Sequence, residues 1–229
     1  ALNAADQIEF SGGKTNTINF EFVKGRLRAR YASSSPQASI RFFEKLSQVS
    51  PTNENKYAYI IALQVTAEHE KALLHIDDLL KKYPKNLILN ITKAEIYLSN
   101  QELVKASQQI DKVLRISPGN YPASIIKSSI LSAQKKTIQA EEIVRELLIT
   151  KNNDPHLWML LSEIQRAGKN ILGYHLSRGE YYLLLGDLEN ALNQFQFALK
   201  LSGSSFQASE TIMTKIKYAQ DRLGRKRGF

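Results

Sequence analysis

The chain has 229 residues, 43% of them hydrophobic and none of them cysteine, which is enough apolar material for a sizeable core and excludes disulfides, cysteine-ligated zinc and thiol chemistry. No run approaches the roughly 20 apolar residues of a membrane span, and the opening ALNAADQIEFSGG has no signal-peptide apolar segment. The net charge of +9 gathers at the ends, with seven basic against four acidic residues over 1–52 and six against two over 206–229, so the middle lacks the basic, aromatic-interleaved stripe of a nucleic-acid binder.

Residues 1–18 are expected to be a polar linker. SGGKT at 11–15 ends like a phosphate-cradling loop, but the glycine required five residues earlier is Ile8 and no buried strand precedes it. From residue 19 the chain repeats. Ala38, Ala72, Ala106 and Ala140 are spaced by 34 residues, and Pro84 and Pro118 each follow one of them by 12. This period, with a small residue where two helices cross and a proline that stops the second helix, resembles the tetratricopeptide repeat. The frame gives units at 19–52, 53–86, 87–120 and 121–154.

Four residues beyond each alanine, Phe42, Ile76, Ile110 and Val144 continue an apolar face. Position 27 reads Lys45, Leu79, Val113 and Leu147, so the first unit departs from pattern, as a terminal repeat can. Position 8, usually small, holds Arg26, Ile60, Ala94 and Ser128. Within the second unit HEKALLH resembles a zinc-protease string, but His69 and His75 are six apart, about 120° round a helix, and cannot share an ion. His156 and His175 have no neighbouring acid or serine arrangement that general-base or nucleophilic chemistry needs. No catalytic residue, metal ligand or cofactor site is therefore expected in this chain.

After Pro155 the spacing changes. LWMLLSEIQRAGKN places Trp158, Leu161 and Gly168 near repeat positions, and a second frame opening at Ile171 or Leu172 aligns Gly179, Tyr182, Gly186, Ala191, Phe195 and Ala198. The two frames overlap, so residues 170–185 serve as the second helix of one unit and the first of the next within 155–205. Residues 206–229 are expected to form a capping helix and a basic tail. Arg222, Arg225, Lys226 and Arg227 could give that tail a weak, salt-screened attraction to an anionic membrane surface. The expected fold is all-α: a solenoid of helix-turn-helix repeats spanning 19–205, closed by the cap.

The inner surface of such a stack is lined mainly by first helices, at positions 5, 9 and 12 of each unit. From these rows come the candidate groove residues Arg30, Tyr57, Gln64, Ile91, Glu95, Ser129, Met159, Glu163 and Arg166. They form a mixed surface suited to a peptide or helix, and do not resemble the Lys and Asn rows of repeats that clamp the acidic tail of a chaperone.

The closing stretch WMLLSEIQRAGKNILGYHLSRGEYYLLLGDLENALNQFQFAL resembles the closing repeats of BepA-like periplasmic zinc metalloproteases, INFEFVKGRLRARY the segment leading from that family's catalytic domain into its repeats, and ALNAADQ the tail of the catalytic domain. The resemblance implies a periplasmic location, a zinc-bearing HExxH domain upstream, and repeats that engage substrates or outer-membrane assembly partners. This chain contains no HExxH, so no zinc ligand is carried over to it. A free-standing adaptor with a peptide or helix in its groove is the other reading of the same residues.

Overall fold

The computed structural model describes residues 17–31 and 35–227, the side chains of 226 and 227 excepted. Twelve helices and no strand occur among them: α1 Thr17–Tyr31, α2 Pro36–Val49, α3 Asn53–Val65, α4 His69–Lys82, α5 Leu87–Ser99, α6 Leu103–Ile116, α7 Tyr121–Ala133, α8 Thr137–Thr150, α9 Pro155–Ala167, α10 Ile171–Leu184, α11 Leu188–Leu201 and α12 Phe206–Arg227. The SGGKT string and most of the expected linker lie outside the described residues. The chain divides into two compact units after Ala123, inside α7.

Helix boundaries follow from local chemistry. Ser35, Thr52, Asn86, Asn120, Asp154, Asn170 and Asp187 each accept a backbone N–H of the helix they precede, satisfying a donor that the helix itself cannot. Pro36 and Pro155 stand just inside α2 and α9, where a missing N–H costs nothing. The turns between paired helices repeat as regularly as the alanines. Ala67, Gln101, Lys135 and Lys169 all have φ between 59° and 62°, and each is followed by an N–H that reaches five residues back, as from Glu68 to Leu63 O and from Lys136 to Leu131 O. That is the Schellman stop, built here on residues other than the usual glycine.

In the first unit Ala72, Ile76, Leu79, Ile60, Leu63, Leu89 and Ile96 form one core with Phe22 and Phe43, each large side chain contributing about 1.5–3 kcal/mol by burial. The first repeat departs from the sequence frame. Phe42 is 48% exposed and Phe43 is fully buried; Ala38 is only half-buried, and Ser39 is inside in its stead. Helix α2 starts at Pro36 and α4 at His69, 33 residues on, whereas α4, α6, α8 and α10 start 34 apart. With its start set by the Ser35 cap, α2 turns Ser39, Phe43 and Leu46 inward, one residue later than the frame places them.

The second unit buries Ala140, Val144, Leu157 and Leu161, and a further cluster of Leu183, Leu188, Ala191, Phe195, Ala198, Ile212 and Ala219. Helix α10 packs against both α9 and α11, and α12 lies on α11. Gly179 of α10 faces Phe195 so closely that a Cβ would come within 2.2 Å of the ring; only glycine admits this crossing. No helix of the described chain is long and apolar enough to cross a membrane.

Candidate functional site

Helix α1 takes an unusual place in the first unit. Its buried residues are Phe22, Gly25 and Ala29, and a Cβ on Gly25 would stand 2.6 Å from the carbonyl oxygen of Glu54, so the backbones of α1 and α3 nearly touch. Arg28 pairs with Glu54, and Glu21 accepts a hydrogen bond from Asn53. The same helix reaches α5: the side-chain amide of Asn86 donates to Asn19 at 2.7 Å, and Arg26 extends to Thr92 and Glu95.

Arg26 is the centre of this junction. Its guanidinium donates to both carboxylate oxygens of Glu95 at 3.2 and 2.8 Å, to Thr92 Oγ1 at 2.8 Å and to the Tyr57 hydroxyl at 3.0 Å, while Tyr57 and Thr92 share a 2.6 Å hydrogen bond. Burial by itself would favour the neutral guanidine, but Tyr57 and Glu95 outweigh it and Arg26 is held charged. For Tyr57 burial dominates and pushes the phenol up, opposed by Arg26 and Thr92. The network satisfies each of its buried polar groups with another of its members, which is the condition for such a network to rigidify a core.

The structure therefore corrects part of the expected groove. Tyr57 is fully buried and Ile91 nearly so, and Glu95 is spent on Arg26; Tyr57 and Glu95 face the chain's own helix α1 and not open space. Arg30 is exposed and Gln64 half-buried at the far end of the same helix pair, where a cavity of about 340 Å³ is lined by Ala29, Arg30, Tyr31, Ser39, Ala62 and Val65. Arg26, which joins this network across three helices, was visible in the sequence only as a misfit, a long cation where the repeat wants a small residue.

On the opposite side of α3, Tyr59 donates to Glu44 at 3.1 Å and stacks edge-on against His75. Burial first, then Glu44, pushes its hydroxyl up to about 12. His69 and His75 share no ligand geometry, and among the described residues no three His, Asp or Glu side chains converge as a bound metal would require.

In the second unit the candidates fall differently. Met159, Glu163 and Arg166 lie at i, i+4 and i+7 of α9, one face of the helix. Arg166 is exposed and donates to Glu163 through Nε at 3.0 Å and a terminal nitrogen at 2.5 Å; the carboxylate holds it charged. Met159 lies against the guanidinium of Arg178, which is stacked over the rings of Tyr181 and Tyr182. Ser129 donates to the Ile125 carbonyl of its own helix. Behind this face Ser177 donates to Gln165 at 2.7 Å and Gln165 to Glu141 at 3.0 Å, a buried relay tying α8, α9 and α10 together. Arg222 and Arg225 are exposed on α12, Arg222 over the Tyr218 ring; the side chains of Lys226 and Arg227 lie outside the described residues.

No family model matches the chain. No curated protein is significantly similar to it. Solved structures are similar in fold. A tetratricopeptide repeat protein from Parabacteroides merdae superposes with a TM-score of 0.54 at 17% identity, covering 91% of this chain and 86% of that one. A thermophilic tetratricopeptide repeat protein of Thermus thermophilus gives 0.53 at 17% identity, with 87% and 98% covered. The fold is the all-α tetratricopeptide-repeat solenoid. The APC/C hetero-tetramer Cut9–Hcn1 also contains a similar chain, with a TM-score of 0.54 and 17% identity over 97% of this chain and 46% of its own. Against the tetratricopeptide pattern, α1 is the departure, being packed on α3 and joined by hydrogen bonds to α5.

Proposed function

We propose that this chain is a protein–protein interaction scaffold whose partner, a peptide or helix, docks on the face of α9 that carries Met159, Glu163 and Arg166. One observation carries the reading: Arg166 is exposed and Met159 and Glu163 are half-buried on one face of a single helix, whereas Tyr57 and Glu95 of the first unit are covered or engaged by α1 and Ile91 is buried. The face has a thioether that adapts its shape to an apolar side chain and an ion pair that can exchange partners with a peptide's own charges. The similar fold of the Cut9–Hcn1 chain, a component of a hetero-assembly by its description, supports the same use. A photo-cross-linking amino acid placed at Met159 in cells is expected to trap a discrete protein, with Ile138, exposed on α8, as the control position. Equal yields from both positions would refute the face.

The finer assignment is that the scaffold belongs to a BepA-like periplasmic zinc metalloprotease and presents clients or assembly partners to a protease domain. It is supported by the resemblance of the tryptophan-bearing and closing repeats. Reading the coding sequence upstream of Ala1 decides it: an HExxH there supports a recruiting domain, and its absence leaves a free-standing adaptor.

A further inference from the structure

Helix α1 is buried on one side only. The side opposite to Phe22 and Ala29 carries Val23 and Leu27, four residues apart and 47% and 52% exposed, and ends at Tyr31, which is 77% exposed. On a helical wheel these three span about 80°. The stripe is flanked by cations on both sides, Arg26 and Arg30 along one edge and Lys24 and Arg28 along the other; the single acid of the helix, Glu21, points the other way, toward Asn53. Glu95 and Glu54 partly neutralise Arg26, Lys24 and Arg28 from beneath, which leaves Arg30 as the exposed charge beside the apolar row.

We infer that this face of α1 is a second docking surface, and that its occupant is an amphipathic helix of a protein partner with acidic residues flanking its apolar stripe. Three things single out that occupant. An apolar row four residues apart on a helix is matched by the i, i+3, i+4, i+7 row of another helix. Arg30, exposed beside the apolar row with no acid of α1 on that face, attracts a helix with carboxylates at its margin. A second copy of this chain would bring Arg30 and Lys24 against their own counterparts, and like charges juxtaposed at an interface oppose association. Helix α1 also gains from being covered, since it buries only three of its 15 residues against its own unit. The inference is independent of the α9 face and stands or falls without it.

The test uses the full chain and two synthetic 18-residue helical peptides with the same leucine stripe, one flanked by glutamates and one by lysines, each labelled for fluorescence anisotropy. The glutamate peptide is expected to bind saturably at low salt and at least tenfold more tightly than the lysine peptide. Val23→Asp and Leu27→Asp should each weaken it tenfold or more, and Arg30→Glu severalfold, with helical content and melting temperature unchanged because all three side chains are exposed. Binding by the lysine peptide equal to that of the glutamate peptide, or binding indifferent to Leu27→Asp, overturns the inference. So does a concentration-dependent dimer in sedimentation that Leu27→Asp abolishes, which assigns the stripe to a second copy. Binding that appears only after residues 1–16 are deleted overturns it as well, in favour of the chain's own beginning as occupant.

Discussion

Arg26 and Glu95 lie 69 residues apart and meet through two hydrogen bonds, at 3.2 and 2.8 Å, that fasten the first described helix to the fifth. Neither the 34-residue period nor the apolar faces of the repeats require this pair. It replaces a contact between small side chains with a desolvated ion pair, and so converts part of what would be an open first-helix face into an internal junction.

Removing one partner of that pair strands the other. Glu95→Ala is expected to lower unfolding stability by about 2–3 kcal/mol, since an uncompensated, largely buried charge costs more than the pair itself contributes. Arg26→Met combined with Glu95→Leu should recover most of the loss. Urea denaturation of wild type and the two variants measures it; a Glu95→Ala protein within about 0.5 kcal/mol of wild type would mean the pair is mechanically idle.

Gly179 offers a packing test in the second unit. A methyl group there would overlap the Phe195 ring, whose nearest atoms stand at 2.2, 2.5 and 2.8 Å from the added carbon. Phe195 is fully buried and cannot swing into solvent. Gly179→Ala should therefore destabilise by about 1–3 kcal/mol, and Phe195→Leu in the same chain should return part of it. Thermal melting of the single and double variants would show whether the two changes fail to add.

The left-handed turns predict gains. Lys135 and Lys169 occupy φ of 61° and 59°, a region that disfavours side chains with a Cβ by about 1–2 kcal/mol. Glycine removes that strain but enlarges the unfolded ensemble. Lys135→Gly and Lys169→Gly should each stabilise by about 0.5–1 kcal/mol and, lying in separate turns, should add. No increase in melting temperature for either variant would count against the turn strain.

Alkaline pH should loosen the first unit. Burial, reinforced by Glu44, raises the Tyr59 hydroxyl from its ordinary 10 to about 12, and burial raises Tyr57 in the same direction. The folded chain thus prefers the neutral phenols. Their contribution is complete below pH 10 and is lost as the pH climbs through the folded value, about 12 for Tyr59. Urea midpoints should hold between pH 8 and 10 and fall from 10 to 11.5, and Tyr59→Phe should fall less. An equal decline in both proteins would exonerate Tyr59.

Much of this architecture was legible in the chain. The 34-residue spacing of Ala72, Ala106 and Ala140, all fully buried, set the helix pairs because only a small side chain lets two helices cross at close range. Gly179 and Phe195 fell into register for the same reason. The turn conformation was hidden, since Ala67, Gln101, Lys135 and Lys169 give no glycine signal at a position whose backbone is left-handed all the same. The choice between Phe42 and Phe43 was hidden too: adjacent aromatic residues point about 100° apart on a helix, and the start of α2 at the Ser35 cap decided between them.

By itself, then, the sequence determined an all-α repeat, the pairing of its helices and the residues that cross, because those depend on period and size, which are local quantities. Tertiary structure alone decided which first-helix residues remain exposed. Tyr57 and Glu95 sit in rows that a regular stack would expose, yet they are closed off by α1; in the same rows Arg166 is exposed and Met159 and Glu163 are half-buried. The difference lies in where a distant segment comes to rest, and that is set by the summed energies of Phe22, Gly25 and Arg26 against α3 and α5 rather than by any repeat position.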